Sequence, residues 1–337
     1  MNNVLFKLLE ADGVSGEERN VANTVKEILS KYAEVSTDIN GNIFGVMGDK
    51  SAKKNILLEA HMDQIGFIVT YINKQGFLKV SRCGGIDNRV LPGCRMVLCK
   101  NKDIHGVFCC MPPHLSDGKE DKAVASEDLW IDVGLSFEEV NKNINLGDRF
   151  CFYSKPTSLL NNRIASAAID NRAGVSVLLR CGELLSREEL CCKVTFLLSV
   201  QEETGQSGAK TGTFSVEPDE AISVDVSFAA QPGLHQEYCS ELSKGPMIAV
   251  ASTMNRELSD TLIEISKKNE IDYQLEIIGG KTGTNADVIS VTKSGVKCGV
   301  VSIPLRNMHT PVEVVDVSDI ENTALLLYHF VLQGGLK

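Results

Sequence analysis

Five short segments of this chain carry residue types that hold metal ions: His61-Met62-Asp63, Asp170-Asn171-Arg172, Gln201-Glu202-Glu203, Asp225 within Val224-Asp225-Val226-Ser227, and His309 within Asn307-Met308-His309-Thr310-Pro311. Imidazole nitrogen and carboxylate oxygen together suit divalent cations of intermediate softness, and such cations activate water for hydrolysis. Counted as a set, two histidines and three carboxylates match two cation sites that share a bridging carboxylate.

Each member also has an inert explanation. In His61-Met62-Asp63, positions i and i+2 of an extended strand share a face, so Asp63 is placed to orient the His61 imidazole; a satisfied structural histidine is the plain alternative. Glu202 and Glu203 leave the apolar run 194–200 pointing in different directions, one suited to ligation and its neighbour to general-base work. A solvated acidic loop has the same composition. Asp225 lies inside an apolar stretch where an unpaired carboxylate is costly, which calls for a cation or an ion pair. Asp170 precedes an apolar helix, where capping is the alternative role. His309 sits between Ile303-Pro304 and Pro311, in a stiff loop at a strand end.

The elements that must position these residues follow from hydrophobic period. Val4, Leu5, Leu8 and Leu9, then Val21, Val25, Ile28 and Leu29, recur at helical spacing and predict two opening helices, with Ser15 and Glu18 at capping-box spacing between them. Residues 33–46 and 55–60 read as strands, the second a continuous apolar run of the covered-sheet kind that ends at His61. Between Gly66 and Lys155 the texture becomes short β segments at 67–72, 77–80, 95–99, 105–110, 129–133 and 149–153, with helical period only near 136–143, which predicts a small barrel or sandwich. From Ala165 onward, helices over 173–185 and 259–269 alternate with apolar strands at 194–200, 220–225, 274–278 and 298–303. The expected fold class is α/β, a mixed sheet covered by helices with a small β-barrel inserted. Residues 1–65 and 161–337 would form the main domain and 66–160 the insertion. Most of the polar segments above fall at carboxyl ends of strands, where open α/β sheets gather their ligands.

A chain of 337 residues suits about two domains of roughly 100–200 residues. Its 43% hydrophobic and 23% charged residues are those of a globular protein. A net charge of -10 without an aromatic-interleaved basic patch excludes a nucleic-acid partner, because phosphate binding needs clustered Lys and Arg. Acidic residues come too early in MNNVLFKLLEADGVSGEE for a secretory leader, and no stretch nears the roughly 18 apolar residues of a spanning helix, so a cytoplasmic protein with no membrane partner is expected. The 11 cysteines occur singly or as the adjacent pairs Cys109-Cys110 and Cys191-Cys192, which predicts reduced thiols rather than a disulfide framework.

The motifs Ser15-Gly16-Glu17, Glu59-Ala60-His61-Met62-Asp63, Pro112-Pro113-His114, Ile131-Asp132-Val133-Gly134, Ile169-Asp170-Asn171-Arg172-Ala173-Gly174, Gln201-Glu202-Glu203-Thr204-Gly205, Val224-Asp225-Val226-Ser227 and Ser302-Ile303-Pro304 with His309 run through nearly the whole chain. In order and spacing the sequence resembles the glutamyl and deblocking aminopeptidases, often called TET aminopeptidases, a family of co-catalytic metallopeptidases. The resemblance implies a zinc-aminopeptidase-like catalytic domain interrupted by a PDZ-like barrel used in homo-oligomer assembly, commonly to a dodecamer. It implies two divalent metal ions, zinc or cobalt, bridged by Asp170, with His61 and Asp225 on one and Glu203 and His309 on the other. Glu202 matches the general acid/base and Asp63 the support of His61. The implied reaction removes N-terminal residues from short peptides with a free N-terminus. Two departures stand out: Asn285 in Gly283-Thr284-Asn285-Ala286, where relatives usually carry Asp, and Gln64, where they commonly carry Glu. The first bears on how substrate is positioned near that loop. The rival class is a glycoside hydrolase, endoglucanase-like, using Glu202 and Glu203 as its carboxylate pair. A single Trp, six Tyr and two well-placed histidines count against it.

Overall fold

The chain opens with two helices, α1 (Asn2–Leu9) and α2 (Arg19–Leu29), whose apolar stripes bury Leu5, Leu8, Val21, Val25 and Leu29 completely in the main core. The computed structural model describes residues 2–112, 114, 123, 125 and 128–336, so Pro113 of the Pro112-Pro113-His114 motif lies outside the described residues. The expected Ser15–Glu18 capping box does not form. Ser15 Oγ lies 2.7 Å from Thr204 Oγ1, and the Glu18 carboxylate accepts the N–H groups of Gly16 at 2.7 Å and Gln201 at 3.3 Å. Contacts to a loop far away in sequence have displaced the local cap.

The single strand expected over 33–46 is a hairpin of β1 (Glu34–Thr37) and β2 (Ile43–Gly48). Asp38 Oδ1 turns the chain by accepting the N–H groups of Asn40 at 2.9 Å and Asn42 at 3.0 Å. β3 (Asn55–His61) is buried at every position. Six strands then close a barrel in the order β4-β5-β8-β7-β6-β9: β4 (Gly66–Ile72), β5 (Leu78–Cys83), β6 (Arg95–Leu98), β7 (Asn101–Phe108), β8 (Trp130–Asp132) and β9 (Arg149–Phe152). Each overlaps one of the six short β segments expected from the sequence. The barrel has its own apolar core around Phe67, Phe108, Phe150 and Phe152, and α3 (Phe137–Asn143) closes it behind a Ser136–Glu139 capping box.

After β10 (Thr157–Ser158) and β11 (Arg163–Ser166) the chain rejoins the main sheet through α4 (Ile169–Leu185), β12 (Lys193–Ser199), α5 (Ser207–Val216), β13 (Glu220–Phe228), β14 (Met247–Ala251), α6 (Arg256–Lys268), β15 (Gln274–Ile278), α7 (Ala286–Ile289), β16 (Lys297–Arg306), β17 (Glu313–Asp316) and α8 (Val317–Leu332). This 11-stranded sheet is mixed. Its centre, β12-β3-β13-β16, is parallel, flanked by antiparallel β2 on one side and β17 on the other. Helices α1, α2, α4, α6 and α8 contribute to the larger core on one face, and α5 and α7 to the smaller core on the other. All 11 cysteines are unpaired thiols, with Cys83, Cys99, Cys151, Cys181, Cys192 and Cys298 buried. Among the described residues no helix is long and apolar enough to cross a membrane.

Candidate metal centre

Parallel packing of the central strands brings the polar segments to one edge. His61 ends β3, opposite Ser199 at the end of β12, and the β13 register that pairs Ser223 with Glu59 carries Asp225 to the level of His61. Gln201–Glu203 follow β12, Asp170 follows β11 and His309 follows β16, all at carboxyl ends. The structure therefore brings His61, Asp63, Asp170, Glu202, Glu203, Asp225 and His309 into one cluster.

Asp170 lies between the two histidines. Its Oδ1 is 3.2 Å from His61 Nε2 and its Oδ2 is 3.1 Å from His309 Nε2. Asp225 Oδ1 approaches His61 Nε2 at 3.6 Å, and Glu203 Oε1 approaches His309 Nε2 at 3.5 Å. Two clusters result, His61/Asp170/Asp225 and Asp170/Glu203/His309, each with its donor atoms within 4.8 Å of one another. The remaining ring nitrogens are engaged behind: His61 Nδ1 lies 3.1 Å from the Asp63 carbonyl and 3.5 Å from Asp63 Oδ1, and His309 Nδ1 lies 2.6 Å from the Gly85 carbonyl. Donating from Nδ1 leaves Nε2 as the atom available to a cation.

The electrostatics show an excess of buried negative charge. Burial pushes the Glu202 carboxyl up to about 7, with Asp225, Asp63 and Asp170 adding to the shift against the His61 charge. Glu203 is raised well above the usual carboxylate range by burial and then by Asp170, and Asp225 is raised by burial. For His309, burial opposes protonation, but the bond to Asp170 and the Glu203 charge win and lift it to about 10. His61 is likewise lifted well above its usual range, against its burial, by bonds to Asp170, Asp225 and Asp63. Asp170 is held low because the bonds from His309 and His61 outweigh its burial. Protons thus balance this buried charge, and the nitrogen/oxygen donor set fits divalent cations in their place.

Beneath the candidate ligands lies a layer of supporting hydrogen bonds. Asp63 does more than face His61: its Oδ1 accepts the Glu202 N–H at 2.9 Å and its Oδ2 the Glu203 N–H at 3.1 Å. Gln206 Nε2 donates to Glu202 Oε1 at 3.3 Å and to the Thr284 carbonyl at 2.7 Å. Glu59, fully buried, accepts from Ser199 Oγ at 2.6 Å, Ser223 Oγ at 2.7 Å and Asn285 Nδ2 at 2.7 Å, tying together the three strands β3, β12 and β13 that lead to candidate ligands. Asn285 therefore turns its amide beneath the site. Gln64 accepts from the buried Arg172 guanidinium at 3.1 Å. Glu313, which burial pushes up to about 8, accepts the N–H groups of both Asp170 and His309. A lone carboxylate between apolar residues in Pro311-Val312-Glu313-Val314-Val315 carried the same signal as Asp225.

Comparison with known proteins agrees with this architecture. Residues 41–326 match the family model described as M42 glutamyl aminopeptidase. A lysyl aminopeptidase from Pyrococcus furiosus is 33% identical over 96% of this chain and 94% of its own length. The solved TET1 peptidase of Pyrococcus horikoshii, described as assembling into a tetrahedron or a large octahedral shell, superposes with a TM-score of 0.87 at 29% identity, covering 98% of this chain and 99% of that one. A Thermotoga maritima structure described as an endoglucanase superposes with a TM-score of 0.81 at 30% identity, covering 98% of this chain and 97% of that one. The chain belongs to the M42 glutamyl aminopeptidase family, and it is on that ground an aminopeptidase, a hydrolase of peptide bonds.

Proposed function

We propose that this aminopeptidase removes N-terminal residues from short peptides with two divalent cations, zinc or cobalt, one held by His61 and Asp225, the other by Glu203 and His309, with Asp170 shared. The observation that carries this is the two-sided placement of Asp170, with Oδ1 3.2 Å from one imidazole and Oδ2 3.1 Å from the other. When bound, the cations supply Lewis acidity toward the scissile carbonyl, a lowered pKa for water, and a seat for the free α-amine.

The chain's own residues do the rest. Glu202 takes the proton from the attacking water and returns it to the leaving amine. Gln206 steadies one of its oxygens, and Asp63 fixes the backbone of Glu202 and Glu203 while facing His61 Nδ1. A glycoside hydrolase would use the Glu202–Glu203 pair alone, and the name of the Thermotoga relative favours it. It assigns no task to His61, His309 or the shared Asp170, and the family description and the lysyl relative favour peptide bonds.

In this account the chain works as a homo-oligomer, a dodecamer by analogy with TET peptidases, with residues 66–160 as the assembling unit. It works in the cytoplasm, where its unpaired thiols would stay reduced. The test is a panel of aminoacyl reporter substrates and β-glucan, run on chelated protein reloaded with zinc, cobalt or manganese. Aminopeptidase activity returning at two ions per chain is the expected result; cation-independent glucan cleavage would overturn it.

A further inference from the structure

Glu313 has no part in the reaction described above, yet its carboxylate, 1% exposed, grips the backbone of two proposed cation ligands at once. Its Oε1 accepts the His309 N–H at 2.8 Å and its Oε2 accepts the Asp170 N–H at 3.1 Å. Those two ligands meet at their tips as well, His309 Nε2 lying 3.1 Å from Asp170 Oδ2. Neither stands on backbone that holds itself. His309 has φ +61°, and Ala168, two residues before Asp170, has φ +63°. A non-glycine residue keeps that left-handed conformation only where its surroundings over-determine it. Glu313 is well placed to do so, because it begins β17 and pairs with Ser166 of β11, the strand that leads into Asp170.

We propose that Glu313 is a positioning residue whose two carboxylate oxygens set the spacing of His309 and Asp170, and so create the cation position formed with Glu203. This role rests on the two-cation reading. It requires a carboxylate of this length. Glutamine offers one acceptor oxygen and turns an NH2 group toward the other N–H, donor against donor, and aspartate is a methylene too short to span both.

The test titrates metal-free wild type, Glu313→Gln and Glu313→Asp with Co2+, following visible absorption and bound cobalt. Wild type should take up two ions. Both variants should lose affinity chiefly for one ion, about 10–100-fold, with the absorption of that ion altered, while the ion held by His61 and Asp225 weakens less because only Asp170 links it to Glu313. General destabilisation would not single out one position. Two ions bound by Glu313→Gln with unchanged affinity and spectrum would overturn the role of Glu313 alone. Uptake of one ion or none by wild type would overturn the two-cation reading, and this role with it. Should the variants fail to fold, amide hydrogen exchange in wild type decides: both N–H groups should be strongly protected, and rapid exchange at either overturns the clamp.

Discussion

Asp63 and Glu202 are joined through the backbone: Asp63 Oδ1 accepts the Glu202 N–H at 2.9 Å, while Oδ2 takes the next N–H, that of Glu203, at 3.1 Å. One carboxylate thereby sets the pose of the proposed base and of a neighbouring ligand. Asp63→Asn, which replaces one acceptor by a donor, should lower kcat by roughly 10–100-fold with a smaller effect on KM. Steady-state kinetics at saturating cation checks this, and an unchanged kcat would remove Asp63 from the machinery.

Glu202→Gln keeps the shape of the side chain and removes its basicity. It should retain both cations and lose roughly 10²–10⁴-fold in turnover. Metal analysis beside kinetics separates the outcomes: a variant lacking an ion would make Glu202 a ligand and exchange its role with Glu203.

Because Asp170 touches both imidazoles, Asp170→Ala should empty both cation positions, whereas His61→Ala, Asp225→Ala, Glu203→Ala and His309→Ala should each weaken chiefly one. Stoichiometry after dialysis is the readout. Two tightly held ions in Asp170→Ala would rule out bridging.

The chelated protein should lose stability as pH rises from about 5 to about 9. Glu202 and Glu313, raised from 4.5 to about 7 and about 8, keep protons that the unfolded chain has already released, so each costs stability as pH climbs through that interval. His309, raised from 6.5 to about 10, stabilises at low pH and loses that contribution as pH climbs toward 10. Asp170 is shifted the other way, but its contribution is complete above its ordinary 3.8 and is constant here. Divalent cations need deprotonated ligands, so adding zinc or cobalt should reverse the trend. Unfolding midpoints across this range, with and without cation, provide the check; a midpoint that rises with pH in chelator would contradict the sign.

The barrel exposes Tyr71 and Val107, 53% and 42% accessible. If residues 66–160 build the subunit contacts, charging both positions, Tyr71→Glu with Val107→Glu, should give smaller particles of folded protein in size-exclusion with light scattering. A wild type that is monomeric and fully active would defeat the assembly reading.

What could be read in the sequence was local. His61, Glu202 and Asp225 each interrupt or end an apolar run, and the barrel strands announce themselves through the turn residues between them. What the supports bond to was not readable, because a side chain accepting a distant backbone N–H leaves no periodic trace: Asp63 stands in the sequence beside His61, but it also reaches residues 139 and 140 positions away. For the same reason Ser15 and Glu18 matched a local cap but bond to the loop of Thr204 and Gln201 instead. Helix α8 buries Ile320, Ala324, Leu327 and Val331 along one face, but Leu325, Tyr328 and Leu332 make its other side apolar too and blur the 3.6-residue period in the sequence. Asn285 stands out in the sequence as a departure. Its partner, Glu59, is 226 residues away, and only the folded chain shows an amide where a second carboxylate would repel the first.

The bond from His309 Nδ1 to the Gly85 carbonyl crosses from the main sheet to the connection between β5 and β6. One of the proposed ligands therefore has its tautomer chosen by the inserted barrel, and excision of the barrel would remove that choice along with the strands. Loading the cleft and seating the barrel become linked equilibria, and whatever free energy one lends the other must be returned in equal measure. A chelator and a mutation at the foot of the barrel would then push on the same balance from its two ends.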